Sequence, residues 1–291
     1  MDYTLRLEIR YRFQRPSGGG RQIVRVMPAT LPGRQLVKSC RLAIQPAPLE
    51  EHGFTDFFGT GAVEVVLPAG LRDLSVVMAA EVDRRPIPSG PDASPPLSAL
   101  PGELAAVLDV SGDSPHHFLS PSPRIPDVGE ICAFALTATA GAATAVEVIE
   151  QLGLALHEAM AFDADATEVD TPVAEAFAGR KGVCQDFAQI MIAGLRHLGV
   201  PAAYVAGYLR TLPPPGKPRL QGADAMHAWV RAWAGHQTGW IEYDPTNACR
   251  VDTDHIVVGY GRDYGDVAPV TGSLRLEGGQ QGSHSVDIAE A

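Results

Sequence analysis

The chain has 291 residues, 45% of them hydrophobic and 20% charged, enough apolar material for two ordinary domains or one large one and too much for global disorder. A formal net charge of −11, from 23 Lys and Arg against 34 Asp and Glu, and a pI near 5.2 exclude an overall electrostatic footprint for nucleic acid or for an anionic membrane surface. The first residues, Met1-Asp2-Tyr3-Thr4-Leu5-Arg6, do not read as a signal peptide, and no apolar run approaches the ~20 residues of a membrane helix, so a cytoplasmic protein with neither nucleic-acid nor membrane partners is expected.

Residues 1–85 alternate as strands do. Tyr3, Leu5, Leu7, Ile9, Tyr11 and Phe13 fall on one face, with polar residues between most of them. Short apolar runs follow at 23–26, 40–44, 62–67 and 74–78, separated by Gly18-Gly19-Gly20, Pro32-Gly33 and Phe58-Gly59. This spacing predicts an N-terminal β-sandwich. Residues 86–126 form a Pro-rich connector with a short helix, for Pro86, Pro88, Pro91, Pro95, Pro96 and Pro101 oppose regular structure.

From about Asp127 the period becomes helical. Ile131, Phe134, Ala135 and Ala138 fit one helix; Val146, Ile149, Leu152, Leu156 and Met160 fit a second. A third starts near Cys184, buries Phe187, Ile190, Met191 and Leu198, and is stopped by Gly199 and Pro201. Strands return at 203–209, 227–233, 239–244 and 255–260, with an edge strand expected at 285–288. Helices followed by consecutive strands predict an α+β unit over 127–291, built on an antiparallel sheet.

Three local patterns carry chemistry. In Gly182-Val183-Cys184-Gln185-Asp186-Phe187 a cysteine stands where a loop enters a helix. Unpaired N–H groups and the helix dipole favour a thiolate there, the nucleophilic form. In Asp224-Ala225-Met226-His227-Ala228-Trp229-Val230 a histidine opens an apolar strand, and in Tyr243-Asp244-Pro245-Thr246-Asn247 an aspartate closes the next one. Taken singly these are a structural cysteine, a surface or structural histidine and an ordinary turn. In an antiparallel pair, a His at the start of one strand and an Asp at the end of the next share a sheet edge. The carboxylate then reaches the imidazole and fixes its tautomer. Cys184, His227 and Asp244 are therefore the expected nucleophile, base and orienting group.

These motifs resemble the bacterial transglutaminase-like superfamily, often described as cysteine proteases. The likeness extends to residues 200–209, His255-Ile256-Val257-Val258 and 261–267, and, more weakly, to Asp56-Phe57-Phe58-Gly59 in the N-terminal strands. Gln189 stands where that family commonly has His, and Met226 where a small Ser is common; both departures bear on substrate preference. The resemblance implies a papain-like core with a helix-borne Cys packed on the sheet. It also implies a peptide or protein amide substrate, a thioester intermediate and no cofactor. The backbone N–H of Cys184, at a helix start, is the expected oxyanion donor.

Other residues have plainer readings. Asp186 caps the helix, Asp224 closes a turn, and Gln185 serves a local hydrogen bond while remaining, with Trp229 and Met226, a candidate for the substrate cleft. The segment 213–219 is a surface loop that could rim the cleft with Lys217 and Arg219. A metal centre is not expected: Cys40, Cys132, Cys184 and Cys249 are scattered, and His227, His236 and His255 show no zinc spacing. A binding or scaffold protein that retains the fold is the alternative function.

Overall fold

The structure, a computed structural model, describes residues 1–88, 90–211 and 224–291. The N-terminal part contains six strands: β1 (Asp2–Phe13), β2 (Gly20–Val24), β3 (Gln35–Gln45), β4 (Glu50–Thr55), β5 (Gly61–Leu67) and β6 (Asp73–Arg84). Side-chain alternation along β1 and β6 sends Leu5, Leu7, Val76 and Met78 inward, each at most 2% exposed. The connector holds α1 (Leu100–Ala105) and a 3-10 turn at Pro115–Phe118.

The second part opens with α2 (Gly129–Ala138), α3 (Ala145–Ala159), β7 (Ala161–Phe162), α4 (Val173–Gly179), β8 (Lys181–Gly182) and α5 (Cys184–His197). It continues with β9 (Ala202–Leu209), β10 (Ala225–Trp233), β11 (Trp240–Asp244), β12 (Cys249–Arg250) and β13 (His255–Gly261). Five of these strands form one antiparallel sheet in the order β12-β11-β10-β9-β13. Twelve of the 14 residues of α5 are buried, as befits a helix enclosed on all sides. It ends where Gly199 adopts a positive φ of 80°.

The core sheet is the middle layer of the molecule. Ala228, Val230 and Ala232 of β10 share an apolar cluster with α2, α3, α4 and α5. Tyr208, Ile256 and Val258 belong to a different cluster, with Leu5, Leu7, Val65, Val76 and Met78 from the N-terminal strands. The sequence predicts this α+β architecture.

The end of the chain departs from the expected 127–291 unit. After α6 (Tyr264–Val267), β14 (Val270–Leu274) pairs with β2, and β15 (Gln280–Glu290) pairs with β1 over its whole length. The N-terminal sheets are thus β15-β1-β6-β3 and β14-β2-β5-β4. The edge strand expected at 285–288 lies in β15, at the edge of an N-terminal sheet, where Val286 and Ile288 are fully buried in the N-terminal core. Two apolar side chains two residues apart specify a strand but not its sheet, and β1 offers eleven paired positions.

Removing residues 1–85 would strip β14 and β15 of their partners and expose Tyr208, Ile256 and Val258. The truncated chain is expected to be insoluble on expression. A soluble fragment with a cooperative thermal transition would show that the helical core stands alone.

Candidate active site

Cys184 is the first residue of α5, after Val183 in extended conformation. Asp186 folds back so that its Oδ2 accepts from the Val183 N–H at 2.8 Å and from Thr167 Oγ1 at 2.6 Å. This explains the glycine of the motif: a Cβ on Gly182 would lie 2.5 Å from Asp186 Oδ2 and 2.8 Å from its Cβ. Asp186 is accordingly the cap expected of it, and it fixes the turn that presents the thiol. Gln185 donates from Nε2 to the Val169 carbonyl at 2.9 Å, so its amide ties down the 161–170 segment.

The structure brings His227 and Asp244 together. Nε2 of His227 lies 2.7 Å from Asp244 Oδ2, and the Cys184 thiol is near enough to the same ring to favour its charged form. With Nε2 committed to the carboxylate, Nδ1 is the nitrogen left for sulfur. His227 is 8% exposed and Asp244 wholly buried.

Asp244 is surrounded by donors. Its Oδ1 accepts from the backbone N–H of Thr246 at 2.9 Å and of Asn247 at 3.2 Å. Its Oδ2 accepts from His227, from Asn247 Nδ2 at 2.7 Å and from His255 Nε2 at 3.1 Å. Burial alone would raise this carboxyl, but the hydrogen bonds from the two histidines and Asn247 and the His227 charge hold it well below the usual carboxylate range. Burial likewise opposes charge on His227, yet hydrogen bonds to Asp244 and Cys184 and their negative charges outweigh it, pushing the imidazole up to about 10.

His255 is the residue that sequence reasoning missed. It opens β13, and its side chain reaches Asp244 although β9 separates β13 from β10. Gly207 of β9 makes this possible. It pairs with His227 on one side and Val257 on the other, and a Cβ there would sit 2.3 Å from the Trp229 ring. Its sequence signals were another histidine opening another apolar strand and the family likeness of His255-Ile256-Val257-Val258, neither of which gave it a role.

Trp229, a candidate cleft wall, is 0% exposed and lies beneath the two histidines, 6.2 Å from the His227 ring and 5.2 Å from His255, centroid to centroid. It floors the imidazoles rather than facing a cleft; an inward-facing indole on a sheet covered on both sides has no route to solvent. Its Nε1 donates to Glu242 Oε2 at 2.8 Å. Met226 is half-buried against the N-terminal core, and Gln189 is buried on α5. Asp224 braces two segments, accepting from the Thr211 N–H at 2.7 Å and from the Ile288 N–H at 2.6 Å. The expected rim loop at 213–219 lies outside the described residues. Among the described residues, no helix is long and apolar enough to cross a membrane.

One nitrogen or oxygen each from His227, Asp244 and His255 lies within 4.8 Å of the others, a spacing a transition metal could use. The same spacing lets both Nε2 atoms hydrogen-bond to the Asp244 carboxylate, at 2.7 and 3.1 Å.

A helix-borne cysteine facing a histidine–carboxylate pair on an antiparallel sheet defines a papain-like α+β class. Within it, residues 133–245 match the transglutaminase-like superfamily, and residues 3–83 match the bacterial transglutaminase-like N-terminal region. An uncharacterized protein of Mycobacterium tuberculosis is 37% identical over 253 residues, covering 83% of this chain and 77% of that one. A crystal structure from Cytophaga hutchinsonii, described as a "putative cysteine protease", superposes with a TM-score of 0.76 at 21% identity, covering 99% of this chain and 90% of that one. A protein-glutamine gamma-glutamyltransferase of Pseudomonas aeruginosa is 42% identical over 71 residues, 24% of this chain and 10% of that protein. The chain belongs to the bacterial transglutaminase-like superfamily.

The shifts fix how stability follows pH. The raised His227 contributes fully below about 6.5, the unfolded imidazole value. That contribution is lost as pH rises toward about 10. The lowered Asp244 contributes above about 4, the unfolded carboxyl value, and loses its contribution as pH falls below that. The denaturant midpoint is therefore expected to decline on the alkaline side between these two imidazole values, and to decline less in His227→Gln. An identical alkaline decline in the variant would assign it to another group.

Proposed function

We propose that the protein is a thiol-dependent amide hydrolase or acyltransferase in which Cys184 is the nucleophile, His227 the acid–base and Asp244 the orienting group. One observation carries the reading: the imidazole that is hydrogen-bonded to the buried Asp244 carboxylate also feels the charge of the thiol that opens α5. Its substrate class is a peptide or protein amide, in keeping with the transglutaminase-like superfamily.

In the first half-reaction Sγ of Cys184 attacks the carboxamide carbon. The tetrahedral oxyanion is met by the Cys184 N–H, which the start of α5 leaves without a helical partner. The C–N bond then breaks, and His227 gives its Nδ1 proton to the departing amine, leaving a thioester. In the second, water attacks the thioester carbon while His227 takes its proton, and the C–S bond breaks to return the thiolate. An amine in place of water would yield a new amide. Asp244 remains ionised throughout, holding Nε2–H.

The test is the pH dependence of alkylation at each cysteine, followed by mass spectrometry. Cys40 and Cys249 are internal controls: Cys40 is exposed on β3 with its thiol still raised by partial desolvation, and burial pushes Cys249 up to about 11, with Asp244 adding to the rise. Cys184 is expected to react at pH 6.5 while these stay silent. In His227→Ala its rate should fall about 10- to 100-fold, as the thiol loses the base that takes its proton. A Cys184 no more reactive than its controls would leave a scaffold that retains the fold.

A further inference from the structure

We infer that His255 is a positioning residue that divides the Asp244 carboxylate with His227 and so limits how tightly that carboxylate holds the His227 N–H. The inference rests on the triad proposed above and adds a member that acts through Asp244.

The geometry is more elaborate than orientation requires. The turn after β11 already fixes Asp244, with two backbone donors on Oδ1 and the Asn247 amide on Oδ2. His227 then completes an oriented pair. His255 adds a further donor to that same Oδ2, from another strand. It is held in place for this. Arg84, wholly buried at the end of β6, donates from Nε to the His255 carbonyl at 2.8 Å, and the Trp229 ring stands at 78° to the imidazole. The groups that face this carboxylate and its partners are the Cys184 thiol from α5, His227 from β10, Tyr243 beside it on β11, Cys249 from β12 and Arg84 from β6. Of these only His227 joins His255 in hydrogen-bonding to Asp244 through an ionisable side chain.

The chemistry explains why division is useful. An imidazolium acts well as a general acid when its proton affinity lies near the working pH. A buried carboxylate attending to one imidazole alone makes that imidazolium too basic to release its proton to a departing amine. A second N–H donor on the same oxygen withdraws charge from the first hydrogen bond. His255 thereby moderates His227 without touching substrate.

The experiment follows the His227 ring by NMR from pH 5 to 11 in a Cys184→Ala chain, where no thiol contributes. Replacing His255 by Phe keeps an aromatic ring over Trp229 but removes the donor. His255→Phe is expected to raise the His227 midpoint by about one unit, a tenfold gain in proton affinity. His255→Gln, whose amide nitrogen has about the reach of imidazole Nε2, is expected to restore it. An unchanged midpoint in the Phe variant overturns the inference. So does a fall toward the ordinary ~6.5, which is what loss of local structure would give. A second measurement needs no His255 variant: nitrogen shifts of His255 in the full-length chain must show the proton on Nε2, and the Nδ1–H tautomer overturns the proposal. Because the titration omits the thiol, its failure removes only the His255 role. Failure of the alkylation test removes the triad.

Discussion

A buried carboxylate that stays ionised governs the arrangement of this site. Asp244 has no exposed surface, and an isolated charge in that position would cost several kcal/mol and would neutralise itself by taking up a proton. Five hydrogen bonds offset that cost. Their donors come from the turn after β11, from β10 and from β13, so the carboxylate can exist as an anion only when these elements are in register. The geometry of the site and the folding of the chain are therefore one constraint. A shift of β10 by one residue would turn His227 to the helical side and leave Asp244 without its shortest imidazole contact.

The same constraint accounts for residues with no chemistry of their own. Gly207 must lack a side chain because Trp229 and the Ile256 carbonyl fill that space, and the imidazoles of His227 and His255 lie against Trp229. Gly182 must lack one because Asp186 lies over it. In both places a glycine marks where a side chain essential to the site crosses the backbone. Its lack of a Cβ matters more there than its conformational freedom.

Much of this was legible in the sequence. The Cys184, His227 and Asp244 motifs each occur where one element gives way to another, and two antiparallel strands bring such positions to a common edge. Asp186 was legible because an acid in the first helical turn has a standard partner in the preceding N–H. His255 was not legible. The reach of the His255 side chain across β9 to Asp244 is set by the sheet order, and the pattern His255-Ile256-Val257-Val258 marks a strand start without naming its partner. The destination of β15 was hidden for a related reason: alternation states that a strand has an inner face but not which edge accepts it. Trp229 was read as sharing the face of His227, which it does. Whether that face met solvent or a second layer depended on residues more than 140 positions away.

Those distant residues tie the N-terminal region to the site. Glu242, two residues before Asp244, is buried and accepts from Trp229 Nε1, from Tyr260 Oη at 3.2 Å and from Arg34 Nη2 at 2.9 Å. Arg34 belongs to the loop between β2 and β3. The carboxylate that pins the indole therefore takes a counter-charge from the other half of the chain, and the indole is the floor on which both histidines rest. A buried ion pair of this kind contributes little net stability compared with an apolar pair, but removing one partner costs about 3–5 kcal/mol because the other charge is stranded. The N-terminal sheets are thus more than an appended domain. They complete a polar network that runs from Arg34 through Glu242 to Trp229, whose ring centre lies 6.2 Å from that of His227.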